Sequence, residues 1–214
     1  MDIVTGSAGA ALPSPPPAPG RQMDEWVKAL FAKYCKPLGY KKEGVNFRLI
    51  QPDGLGKVVN FQRSHNNTAQ CCSFTINAGI YFEKGTVLEH PKFKEYQCLL
   101  RNRPRLSDLD PWWTIEEGKA VDEVWAAVEK TFAQAVLPWL AKYPSKSKTV
   151  EMIIAGLMES GIPQPLYVAR RLADCGYGEL LLPYLNTEHA EWQGWDRGRE
   201  VERLIKMIES STTR

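Results

Sequence analysis

The sequence predicts an α+β fold: a four-stranded antiparallel meander with two helices packed on one face, plus a C-terminal helical extension. Three observations lead to it. Segments 57–64, 72–82 and 96–103 alternate apolar and polar residues, as strands with one buried and one solvated face do. Two flanking stretches, about residues 23–36 and 117–142, repeat apolar residues at helical spacing. The order helix, meander, helix favours an antiparallel sheet with both helices on its apolar side.

Residues 7–20 hold five prolines and no aromatic residue. Proline removes backbone donors and favours extended chain, so residues 1–22 read as a disordered tail, either a spacer or a polyproline ligand. In the first helix Trp26, Leu30 and Tyr34 follow an i, i+4 series widened by Val27 and Phe31, and Pro37 with Gly39 ends it. Strands are expected at about 45–51 and 57–64, joined as a hairpin through Pro52-Asp53-Gly54-Leu55-Gly56. The third strand, 71–82, has an unbroken apolar row of Phe74, Ile76, Ala78, Ile80 and Phe82. The fourth is expected at about 95–103.

The second helix carries Val121, Val124, Trp125, Val128, Phe132, Ala135, Val136 and Trp139 in one stripe, and Pro138 should kink it. The α+β unit thus spans 23–143. After a linker, helical patterns at about 149–159, 164–175, 178–185 and 196–210 form a small extension, 149–214. Gly161-Ile162-Pro163, Gly176 and Pro183 act as its breakers.

At 214 residues the chain suffices for one good core or a core plus a small appendage. A net charge of +2, with acids and bases interleaved, argues against nucleic acid as a partner. No stretch approaches the roughly 20 apolar residues of a membrane span. The five cysteines are odd in number and lack Cys-x-x-Cys spacing, which points to a reducing cytoplasm rather than a disulfide framework. Cys72 and Cys98 are expected on the apolar side of the sheet. The adjacent Cys71 and Cys72 turn apart on a strand, which favours structural thiols over a redox switch. Three dispersed histidines and the absence of ligand spacing give no metal site, and no cofactor motif is present.

The polar row of the sheet is where function would sit. Sequential pairing places Asn60, Gln62, Thr75 and Asn77 on one solvated face, with Gln97, Arg101 and Arg103 sharing that side. Paired guanidiniums suit carboxylates and phosphates. The competing expectation is structural, with the arginines paired to Asp108, Asp110 or Glu43. Trp112 and Trp113 follow the Asp110-Pro111 turn; one is expected to plug the core and the other to lie at the rim.

Residues of about 26–143 resemble a known family, the bacterial "domain of unknown function 4304". The resemblance rests on Leu38-Gly-Tyr-Lys-Lys42, Val59-Asn-Phe-Gln-Arg-Ser64, Phe74-Thr-Ile-Asn-Ala-Gly-Ile-Tyr81, Cys98-Leu-Leu-Arg-Asn-Arg103, Asp110-Pro-Trp-Trp113 and Leu137-Pro-Trp139, in the family's order. Pro104 departs from it, since the family tends to carry a small apolar residue there. The resemblance implies a compact α+β domain of bacterial origin and carries over no reaction.

The expected function is a non-catalytic protein-binding module, one concrete version being an immunity protein that neutralises a co-encoded toxin. The near-neutral charge argues against a strongly basic nuclease as its target. Two alternatives stand beside it: an enzyme on a phosphate or carboxylate substrate, with Arg101 and Arg103 as clamps and His65 as acid or base, and an oligomeric scaffold assembled through the C-terminal helices.

Overall fold

A computed structural model describes residues 17–159 and 164–212. Residues 1–16 of the expected tail and the Gly161-Ile162-Pro163 breakers lie outside the described residues. Helix α1 covers Pro19–Leu30, four residues earlier than the periodicity suggested. Pro19 supplies the fixed φ that suits a first helical turn and is itself buried. Met23, Trp26, Val27 and Leu30 form the buried stripe. A π-helical turn, Phe31–Cys35, and a short 3-10 turn, Lys36–Leu38, carry the chain to Gly39, whose φ of 83° closes the helix in the left-handed region.

Six strands, not four, make one antiparallel sheet. They are β1 (Lys41–Glu43), β2 (Asn46–Ile50), β3 (Gly56–Arg63), β4 (Cys71–Tyr81), β5 (Leu100–Asn102) and β6 (Trp113–Glu116). Their order is β1-β2-β3-β4-β5, with β6 also on β4. β4 is the spine. Its residues Ala78–Ile80 pair with β5 and its residues Cys71–Phe74 pair with β6 along the same edge. The expected fourth strand shrinks to three residues, because Glu95–Gln97 forms a 3-10 turn.

One face of the sheet carries Phe61, Phe74, Ile76, Ala78 and Ile80, and both helical segments pack there as expected. The second begins as α2 (Asp122–Thr131), opens into a π turn at Phe132–Val136 and continues as α3 (Leu137–Ala141). Pro138 has no N–H, and its ring would meet the carbonyl of Gln134 in a regular helix. The wider π turn lets the helix pass it without breaking. Phe132 sits at the centre of this layer, stacked on Phe61 at 6.1 Å and edge-on to Phe47 at 6.3 Å.

The opposite face is not free. The chain between Tyr81 and Leu100 folds over its lower half, where Val58, Tyr81, Leu88, Phe93 and Cys98 form a second apolar cluster. Tyr81 stacks on Phe93 at 4.4 Å. Cys98 therefore lies on this side and not with the helices. Two glycines make the cover possible. A Cβ on Gly79 would stand 2.5 Å from the Cys98 sulfur, and one on Gly56 2.6 Å from the Phe93 ring.

Beyond Tyr143 come α4 (Lys146–Met158), α5 (Pro165–Leu172), α6 (Gly178–Glu191) and α7 (Asp196–Thr212). Ser145 caps α4 by accepting the Lys148 N–H. The apolar interior of these helices, including Ile153, Leu172, Leu185 and Val201, continues the cluster of the sheet and its helices. Tyr177 meets Phe82 edge-on at 6.0 Å. No helix among the described residues is long and apolar enough to cross a membrane.

Candidate functional site

The polar end of the covered face holds most of the expected site residues, but as an internal network. The register sets Asn46 opposite Asn60 and Asn60 opposite Asn77. The Asn60 amide donates to Asn46 at 2.9 Å, and the Asn77 amide donates to Gln62 at 2.9 Å. Asn77 accepts in turn from Arg103 Nε at 3.0 Å. Thr75 and Asn77, expected in solvent, are buried. Both lie on β4, the interior strand of the sheet, and Asn77 is held between Gln62 and Arg103. The Thr75 hydroxyl has no hydrogen-bond partner among the described residues.

The two arginines part company. Arg101 is exposed and bound by Glu95 through both Nε at 2.7 Å and Nη2 at 3.2 Å. Gln97 lies in the 3-10 turn instead of on the sheet, and its side chain accepts the Lys94 N–H at 2.7 Å. Arg103 donates to Asp110 at 2.6 Å and lies over the Trp112 ring, 5.4 Å from its centroid. Trp112 Nε1 donates to the same carboxylate. Trp112 is thus the exposed rim residue, while Trp113 is buried against Phe74 at 5.8 Å.

These contacts stiffen one wall of a cleft of about 570 Å³ between the 102–110 segment and the helix that follows the π turn. Volumes of about 300–1,000 Å³ are usual for ligand sites. Arg103, Arg105 and Asp110 come from the first wall, and Gln134, Trp139 and Lys142 from the second. Trp139 is fixed edge-on to Tyr143 at 5.1 Å. Three cations face one carboxylate, and that carboxylate is already held by Arg103 and Trp112. Arg105 and Lys142 are exposed and pair with no acid among the described residues.

Arg105 and Lys142 were not legible as a pair. Arg105 follows Pro104 in a segment without periodicity, and Lys142 is one of many surface lysines. The available hints were the Arg-x-Arg-x-Arg spacing of 101–105 and the neighbouring Trp139.

Residues 31–142 match the family model described as Domain of unknown function (DUF4304). The chain belongs to that family. No curated protein and no solved structure matches the chain. Both walls of the cleft fall inside the DUF4304 segment, and α4–α7 fall outside it.

Elsewhere the chemistry is structural. Glu83, Glu89 and His90 bring ligand atoms within 4.8 Å of one another. The Glu83 carboxylate is occupied there by the Tyr81 hydroxyl, the His90 ring and the Glu89 N–H, so it ties down the covering loop. Burial pushes the Cys35 thiol up to about 12 and also raises Cys72 and Cys98, which makes them poor nucleophiles. His65 is exposed and does not line the cleft.

The arginines should differ on mutation. Arg103→Ala leaves the buried Asn77 carbonyl without its donor and should cost about 1–3 kcal/mol. Arg101→Ala removes an ion pair that is exposed on the arginine side, with Glu95 largely buried, and should cost at most about 1 kcal/mol. Denaturant melts of the two variants decide it; equal losses would mean that Asn77 does not depend on Arg103.

Proposed function

We propose that the chain is a non-catalytic, cytoplasmic binding module that captures an acidic segment of another protein in the Arg103–Arg105–Lys142 cleft. The observation that carries this reading is the pair of unbalanced cations, Arg105 and Lys142, on facing walls beside Trp139, with Arg103 of the same cleft lying over the Trp112 ring. Tryptophan and arginine dominate the energetics of protein interfaces because they combine large contact area with directional donors. Opposite charge on the partner would speed encounter and fix its orientation. The cleft's one carboxylate is engaged by Arg103 and Trp112, which leaves no free general base among its lining residues and favours binding over catalysis. Five free cysteines, three of them buried, suit a reducing compartment.

The experiment is affinity capture from the source cells with the parent chain and with Arg105→Glu/Lys142→Glu. A control, Lys28→Glu/Lys206→Glu, reverses charge on distant helices. The expected result is a protein retained by the parent and the control but lost by the cleft variant at unchanged melting temperature. Equal capture by all three removes the cleft from the function. A captured species encoded beside this chain, and toxic when expressed alone, would make the module an immunity protein. Turnover of a phosphate or carboxylic ester that the cleft variant loses would replace binding with catalysis.

A further inference from the structure

A second groove, separate in its chemistry, runs between the β1–β2 hairpin and α3, with a volume of about 420 Å³. Its walls are Leu38, Tyr40 and Leu49 on one side and Ala133, Leu137 and Ala141 on the other. Leu38 is 57% exposed, which leaves an open apolar surface at the mouth. Lys57 also lines the groove and is only 6% exposed. It is the only charged residue among the lining residues.

Among the described residues Lys57 makes one hydrogen bond, from its ammonium to the Leu140 carbonyl at 2.9 Å. That contact caps the end of α3, where the carbonyls carry roughly half a unit of negative charge. Two N–H donors and the remaining positive charge are left over. Asp53 contributes favourable charge but no hydrogen bond to Lys57, since one carboxylate oxygen accepts the Leu55 N–H and the other the Lys146 N–H. Burial nevertheless lowers the pKa of the Lys57 ammonium, the mark of a desolvated charge. Tyr40, also buried, lines the same groove. One cation inside apolar walls matches a singly charged headgroup on a hydrocarbon body.

We propose that this groove binds a small aliphatic monocarboxylic acid, its carboxylate on the Lys57 ammonium and its chain along Leu38, Leu49 and Leu137. The site does not depend on the acidic-segment cleft; only Pro138 borders both. A dianion is disfavoured, because the groove offers a single cation. A neutral alcohol of the same length would leave the ammonium unpaired.

The test is calorimetric titration of the full chain with octanoate and, separately, with octan-1-ol. Octanoate should bind saturably and at least about tenfold more tightly than the alcohol, since the charge-assisted contact is lost in the latter. Lys57→Met should abolish that preference. Ala141→Trp fills the groove from an exposed helix position, so it should block octanoate while leaving the melting temperature unchanged. It keeps the test decisive if Lys57→Met fails to fold. Absence of saturable octanoate binding, equal affinity for the alcohol, or full binding by Ala141→Trp each overturns the proposal.

Discussion

Phe132→Ala should destabilise the protein by about 3–5 kcal/mol, the usual loss when a buried phenylalanine is cut back to alanine. The ring is fully buried at the start of the π turn. It touches three separate elements: Phe61 of β3, Phe47 of β2 and Tyr34 of the turn after α1, the last at 5.7 Å. Removing it leaves a cavity that none of these can fill without moving a strand. Urea unfolding checks the figure, and parent-like stability would mean that this ring does not join the helices to the sheet. Trp125→Ala should cost less. Trp125 is only half-buried, packing at 5.4 Å on Trp26 near the start of α2.

Lys146→Ala should cost about 2–4 kcal/mol, because charge-assisted hydrogen bonds are lost and the acceptors left behind stay unpaired. The Lys146 ammonium is buried and donates to the carbonyls of Glu83 and Gly85, lying over the rings of Phe82 and Tyr177. It thereby pins the first turn of α4 to the chain leaving β4. Burial lowers its pKa, so the charge itself is costly and part of the gain is offset. The consequence is regional. Limited proteolysis of Lys146→Ala should release α4–α7 before it cuts the sheet. Simultaneous loss of both would show that the extension does not loosen separately.

Strong periodicity was readable and short, irregular pieces were not. β3 and β4 alternate over eight and eleven residues, so their faces and the helix-covered side follow from spacing alone. β1 is three residues of Lys-Lys-Glu, which no propensity marks as strand. β6 is four residues, and it pairs only because the 103–112 segment brings it back to the near end of β4. The largest misreading concerned the polar face. Gly79 interrupts β4 where Cys98 comes down on it, and Gly56 opens β3 beneath Phe93; a glycine within a strand signals such close approach. Read that way, Gly79 foretells the covering loop. Of the candidate site residues, Arg103 lines the cleft and Trp112 lies against it. Its other cations come from positions 105 and 142, whose proximity exists only in the folded chain.

In the proposed binding role, unpaired positive charge in the cleft recognises an acidic segment. Amide NMR of the labelled protein during titration with a capped glutamate-rich peptide tests it most directly. The predicted result is saturable shifts confined to residues around Arg103–Arg105, Gln134, Trp139 and Lys142, with the Trp112 and Trp139 indole N–H signals moving with them, all suppressed in Arg105→Glu/Lys142→Glu. Shifts that scatter over the basic surface, or that persist in the charge-reversed variant, would contradict it.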